Sequence, residues 1–183
     1  MTPSASELSR AMSHALRHQP WIYELEIDDE GWVPLDALLE SLRSLGLGWE
    51  HVDRGDIERM IVGGAKRRHE IVDGRVRALY GHSLPGRLMK SPAEPPDRLF
   101  HGTDRLAWPA IELEGLRPMG RQFVHLSVDV VTATEVGRRK SKLPIVLAVD
   151  AQRAYREGVP FYAGNEAVWL ADDIPARFIA EAA

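Results

Sequence analysis

Two groups of residues in this chain carry side chains suited to chemistry. The first is cationic or readily becomes so. Arg17 and His18 fall in the last turn of an N-terminal helix, and Arg75 and Arg77 stand one pleat apart on a strand. Two guanidinium groups on one strand face make a fork that matches phosphate oxygens. The second group is neutral and hydrogen-bonding. Leu99-Phe100 runs into His101-Gly102-Thr103, and Phe123, His125 and Ser127 alternate with Val124 and Leu126. Each reads as a short apolar strand tipped with polar groups, and Gly102 is expected to leave room for a ligand against the backbone. Together the groups point to a phosphate-bearing substrate meeting a second ligand where two lobes adjoin.

Other chemistries drop out quickly. The 183 residues include no cysteine, which removes disulfides, thiolate catalysis and cysteine-ligated zinc. His101 and His125 have no third ligand at a characteristic spacing, so no metal is expected. There is no phosphate-binding loop of the G-x-x-x-x-G-K-[ST] kind, no G-x-G-x-x-G after a strand, no H-E-x-x-H and no G-x-S-x-G. Hydrophobic content of 44% and charged content of 27% are those of a globular protein. No run approaches a membrane span and no signal-peptide core is visible, so a cytoplasmic monomer is expected. The net charge of −4 means that any nucleic-acid contact must be local. The cluster Lys66, Arg67, Arg68, Arg75 and Arg77, diluted only by Glu70 and Asp73, is the one place for it.

The elements that must position these groups can be read in order. Ser4-Ala5-Ser6-Glu7 is a capping box, followed by Leu8, Met12, Ala15 and Leu16 at helical spacing. That helix should end near His18, because Gln19-Pro20 disfavours continuation. A second helix carries Leu35, Leu38, Leu39 and Leu42, and a third runs from about Asp53 to Val62, burying Ile57, Met60 and Ile61. His69–Val72 and Arg75–Tyr80 then form a hairpin around Asp73-Gly74. Three helices and a hairpin are the pattern of a winged-helix module. Four prolines between Pro85 and Pro96 suggest a linker, giving lobes at 1–84 and 98–183 joined by 85–97. The second lobe reads as strand-rich α+β. Its expected parts are strands at Arg98–Gly102, Arg121–Ser127 and Ile145–Val149 (the last buried on both faces), helices over Leu106–Leu113 and Asp129–Arg138, and short strands at Phe161-Tyr162, Val168–Leu170 and Arg177–Ile179.

Six segments in register go further. They are Ala15-Leu16-Arg17-His18, Val76–Ser83, Phe100–Thr103, Arg121–Ser127, Val136-Gly137-Arg138-Arg139 and Ala163–Leu170. Together, from Leu8 to about Phe178, they resemble the NAD-dependent RNA 2′-phosphotransferases, which remove the splice-junction 2′-phosphate from ligated tRNA. The resemblance implies an RNA-binding winged-helix lobe followed by an NAD-binding lobe like that of the ADP-ribosyltransferases. The family's Arg-His-Arg-Arg set falls on Arg17, His18, Arg77 and Arg121. The NAD site would comprise His101, Gly102, Thr103, His125, Leu126, Ser127 and Arg138, and Arg75, His82 and Ser83 would contact RNA. Where related ADP-ribosyltransferases carry a catalytic Glu, this pattern has Val168. Tyr80 replaces a usual Gln, and Lys140-Ser141 a usual His-Gly.

The chemistry so implied has two steps and no metal. The RNA 2′-phosphate displaces nicotinamide from NAD, giving an RNA–phospho–ADP-ribose intermediate. A ribose hydroxyl of that intermediate then attacks the bridging phosphate, releasing 2′-hydroxyl RNA and ADP-ribose 1″,2″-cyclic phosphate. A transferase that ADP-ribosylates terminal phosphates of RNA or DNA, stopping after step one, would need the same NAD lobe. A winged-helix regulator would need a basic recognition helix, whereas Asp53, Arg54, Asp56, Glu58 and Arg59 are acidic on balance.

Overall fold

The computed structural model describes residues 2–182, which divide into two compact units with the boundary between Met89 and Lys90. The fold is mixed α+β, with two wholly antiparallel sheets and six α-helices among the described residues. None of the helices among these residues is long and apolar enough to cross a membrane.

In the first unit, helix α1 (Ala5–Arg17) starts where both halves of the capping box form: Glu7 N–H donates to the Ser4 hydroxyl and Ser4 N–H to the Glu7 carboxylate. The helix stops before Gln19, whose non-helical backbone (φ −139°, ψ 60°) keeps a residue preceding proline out of the α region. Strand β1 (Val33–Pro34) leads directly into α2 (Leu35–Arg43), and α3 (Arg54–Gly63) is capped by the Asp53 carboxylate accepting from Asp56 N–H. Strands β2 (His69–Val72) and β3 (Arg75–Ala78) complete a sheet in the order β1-β3-β2, in which Val76 sits opposite Val33 and Ile71. Met12, Leu16, Leu38, Leu42, Val52, Ile57 and Val76 pack as one core. At ~2 kcal/mol for each large apolar side chain withdrawn from water, this core fixes the end of α1 and the start of β2.

The second unit is a sheet in the order β7-β8-β5-β4-β6-β9. Its strands are β4 (Arg98–Asp104), β5 (Val124–Ser127), β6 (Pro144–Asp150), β7 (Phe161–Ala163), β8 (Val168–Ala171) and β9 (Ile179–Glu181). Helices α4 (Trp108–Glu114), α5 (Val130–Gly137) and α6 (Ala151–Arg156) lie between them in sequence. Leu99, Leu126, Val149, Phe161 and Phe178 form its core.

Several expectations need correction. Strand β5 begins at Val124, not Arg121, because Met119 adopts a left-handed backbone (φ 57°) and Arg121 N–H closes a turn onto the Pro118 carbonyl. Phe123 therefore precedes the strand; it is buried and meets the Tyr162 ring edge-on at 5.1 Å. β6 is not buried on both faces: Ile145, Leu147 and Val149 are buried, while Val146 and Ala148 are half-exposed. The helix expected from Leu106 splits into a 3₁₀ turn and α4, since Pro109 fits the first turn of a helix but not its middle. Arg177-Phe178 lies in a 3₁₀ turn that feeds β9. β3 ends at Ala78, so Tyr80 lies beyond the hairpin.

Candidate active site

The C-terminus of α1 gathers the most reactive groups of the first unit. Its last carbonyls lack helical partners, and Ser83 N–H supplies one by donating to the Arg17 carbonyl at 2.9 Å. That bond places the Ser83 hydroxyl 2.8 Å from His18 Nδ1. The Arg17 guanidinium turns back over the hairpin, donating to the Arg68 carbonyl at 3.3 Å and lying 5.2 Å above the Tyr80 ring. Gly81, with φ +87°, passes beneath it; a Cβ there would come within 3.3 Å of Arg17 Nη1. Arg17, His18, Tyr80 and Ser83, far apart in sequence, are thus one constellation.

His18 also opens onto a cavity of about 560 Å³ walled by one face of α1, the end of α3 and the Lys66–His69 segment. Arg10, Arg59, Lys66 and Arg68 line it, and no carboxylate does. At its floor His69 is buried, with Nε2 3.3 Å from the Ser13 hydroxyl. Burial, and then the charges of Arg17, Arg68 and His82, push the His69 pKa down to about 3, so the imidazole is neutral. His82 is also buried, and a Cβ added at Gly31 would lie 3.7 Å from its Nε2.

Arg75 and Arg77 do share a face, as the strand alternation requires, but both are occupied. Arg77 donates to the Glu70 carboxylate at 2.7 Å and to the Glu30 carbonyl at 3.3 Å, and its guanidinium lies 4.2 Å above the Trp32 ring. Arg75 pairs with Asp28 and lies 5.7 Å from the same ring. An incoming phosphate would have to displace these carboxylates. Neither arginine lines the cavity that holds His18.

In the second unit, β4 and β5 bring the two histidines together. His101 Nδ1 donates to the His125 carbonyl at 2.9 Å, and His125 Nδ1 to the Phe123 carbonyl at 3.0 Å. A carbonyl only accepts, so each Nδ1 carries a proton. Burial lowers the His101 pKa, and nearby Lys140 and Arg121 add to this against the raising effect of its hydrogen bond. Neutral His101 therefore keeps an acceptor at Nε2. Thr103 and Ser127, on the same two strands, are buried, and Ser127 stands between Phe100 of β4 and Val168 of β8 in the sheet register. Arg121 has its pKa lowered, first by partial burial and then by the charge of Arg139, which marks two guanidinium groups held near each other.

The expected room at Gly102 is not there. An added Cβ would lie 1.8 Å from the Ala133 carbonyl oxygen, and Gly137 packs back against Gly102. The glycine lets α5 lie directly on β4, and that space belongs to the helix rather than to a ligand.

Residues 3–173 match the family model described as RNA 2′-phosphotransferase, Tpt1 / KptA family. The chain belongs to this family. It is 49% identical over 175 residues to a probable RNA 2′-phosphotransferase of Bacillus thuringiensis subsp. konkukian, covering 96% of this chain and 94% of that one. A probable RNA 2′-phosphotransferase of Acetivibrio thermocellus is also 49% identical, over 174 residues and 95% of each chain. Another, of Burkholderia lata, is 41% identical over 182 residues, 98% of this chain and 92% of that one.

For an RNA 2′-phosphotransferase family member, the structure adds groups that the sequence reading left out of the site. Arg68 and Lys66 come beside His18, and Arg139, next to Arg138 in sequence, is the cation that acts on Arg121. The signal for the first pair was the basic run Lys66-Arg67-Arg68; only the fold shows that Lys66 and Arg68, and not Arg67, line the cavity along α1. Among the described residues no three metal-ligating side chains gather to hold an ion.

Proposed function

We propose that the protein is an NAD-dependent RNA 2′-phosphotransferase, which moves an internal, splice-junction-type 2′-phosphate from RNA to NAD. The observation that carries this reading is the end of α1. There Arg17, His18 and Ser83 are tied together beside a cavity rich in cations and free of carboxylates. The first unit is read as a winged-helix RNA lobe and the second as an ADP-ribosyltransferase-like NAD lobe, and family membership supports both readings.

The second unit's residues fit NAD. The acceptor at His101 Nε2 and the buried hydroxyls of Thr103 and Ser127 suit an amide and ribose hydroxyls, while Arg121 with Arg139 suits a diphosphate. His125, Leu126 and Arg138 belong to the same reading. Bound there, NAD would offer an anomeric carbon with a cationic leaving group, which a 2′-phosphate oxygen would displace as nicotinamide. The enzyme's part in this step is to hold the phosphate in line.

In the second step the neighbouring ribose hydroxyl would lose its proton to solvent as its oxygen bonds to phosphorus and the bond to the RNA 2′-oxygen breaks. Negative charge grows on the phosphoryl oxygens, where Arg17 donates. His18 gives its proton to the departing 2′-oxygen, with Ser83 orienting the ring through Nδ1. Arg77 joins only by leaving Glu70, whereas Arg68 already lines the cavity. No step is routed through a metal.

The test is release of nicotinamide. Mixed with NAD and a 2′-phosphorylated RNA, the protein should free nicotinamide stoichiometrically with the phosphate transferred, and the same RNA bearing a 2′-hydroxyl should free none. Release that ignores the 2′-phosphate would contradict the reading.

A further inference from the structure

The cavity beside His18 is larger than one phosphoryl group needs. It follows a single face of α1 from His18 back through His14, Ser13, Arg10 and Ser9 to Ser6. At 1.5 Å per residue that face is about 18 Å long, which places several hydrogen-bonding groups beyond the reach of any phosphate touching His18.

We infer that this groove holds the RNA strand flanking the 2′-phosphate, gripping its sugar–phosphate backbone and not its bases. The inference rests on the phosphotransferase reading and names a further part of the same substrate. Three features of the lining support it. First, Arg10, Arg59, Lys66 and Arg68 face the groove with no carboxylate in its lining, in a chain of net charge −4. Arg59 is shared with Asp56 at 2.7 Å on the outer side of α3, so Arg10, exposed on α1, is the cation best placed at the far end. A polyanion repelled by the molecule at large is attracted here. Second, the seryl hydroxyls of Ser6, Ser9 and Ser13 recur along the track. A hydroxyl donates to a phosphate oxygen and accepts from a ribose hydroxyl, the group that distinguishes RNA. Third, the lining contains no Phe, Tyr or Trp, so it offers none of the broad aromatic platforms on which bases stack. Contacts to sugar and phosphate fix position without reading sequence.

The groove should therefore confer an advantage on longer substrates that is indifferent to their sequence. The experiment compares kcat/KM for a 2′-phosphorylated dinucleotide with that for unstructured 2′-phosphorylated octanucleotides of two unrelated sequences, using the wild-type protein, Arg10→Gln and Arg10→Glu. The wild type should favour both octamers over the dinucleotide. Arg10→Gln should cut that ratio about fivefold, the size of one exposed charge contact, and Arg10→Glu should cut it further. Thermal melting verifies that each variant is folded. An absent length advantage in the wild type, an unchanged ratio in folded Arg10→Glu, or a ratio that differs between the two sequences would overturn the inference.

A second readout separates this inference from the reaction itself. If no RNA loses its 2′-phosphate in the presence of NAD, the phosphotransferase reading fails, and binding of a labelled, unphosphorylated octamer then decides the groove. Weaker anisotropy binding by Arg10→Glu upholds the track, and equal binding removes it.

Discussion

At the scale of single residues, the account turns on His18 and the guanidinium groups around it. His18→Ala removes the proton donor for the second step and should slow that step 10²- to 10⁴-fold, so that RNA joined to ADP-ribose accumulates on a denaturing gel. Equal slowing of both steps, with no such species, would assign His18 elsewhere. Arg17→Lys should rescue little. An ammonium cannot span two phosphoryl oxygens, donate to the Arg68 carbonyl and lie flat over Tyr80 together. Among the hairpin cations, Arg68→Ala should reduce single-turnover rates more than Arg77→Ala, whose larger effect should be on melting temperature through Glu70 and Trp32. The reverse order would show that Arg77 leaves Glu70 during turnover. Arg17 and His18 were legible in the sequence, because Gln19-Pro20 ends the helix just past them. Ser83 and Tyr80 were legible only as parts of a motif, since no local rule brings residues 65 apart into a 2.8 Å contact.

At the scale of elements, local chemistry predicted most of the first unit. The Ser4–Glu7 capping box starts α1, and Asp73-Gly74 closes the hairpin. The second unit was less legible. The apolar alternation into Phe123 predicts a longer β5, but the Met119–Arg121 turn cuts it short. Val130, Val131, Ala133 and Val136 suggest the buried face of α5, yet of these only Ala133 is buried, together with Gly137, while Val131 is 70% exposed, because a close helix–strand contact admits only small residues. Gly102→Ala tests that contact. With Ala133 O in the way, the strand or the helix must move, and the loss should exceed 3 kcal/mol. A melting temperature within a degree or two of wild type would show that α5 can retreat freely.

The floor of the first unit's cavity gives a pH dependence. His69 titrates near 3 in the folded protein against 6.5 when exposed. Between those values the unfolded chain binds a proton that the native one does not. Stability should therefore be full above pH 6.5 and decline as pH falls toward 3, by up to ~1.4 kcal/mol per pH unit for one proton. His101, whose pKa is also lowered, acts in the same direction. His69→Leu should flatten the slope in thermal melts between pH 6.5 and 4. An unchanged slope would place the acid sensitivity in other groups.

At the scale of the whole molecule, a net charge of −4 coexists with a cation-lined cavity in the first unit. Charge counting confined any nucleic-acid contact to the Lys66–Arg77 cluster; the fold brings Lys66 and Arg68 of that cluster to one cavity with Arg10 and Arg59. RNA affinity should consequently fall with salt, with a log–log slope of magnitude about 2 to 4, reflecting a few neutralised phosphates. A slope near zero would mean that the cations are held by their own carboxylates. The central claim is tested most directly by the fate of the phosphate. An RNA with one labelled internal 2′-phosphate is incubated with the protein, with and without NAD, and the products are separated. The account predicts NAD-dependent appearance of the label in ADP-ribose 1″,2″-cyclic phosphate and RNA with a free 2′-hydroxyl. Label retained on RNA while ADP-ribose attaches to a terminal phosphate, or no consumption of NAD, would contradict it.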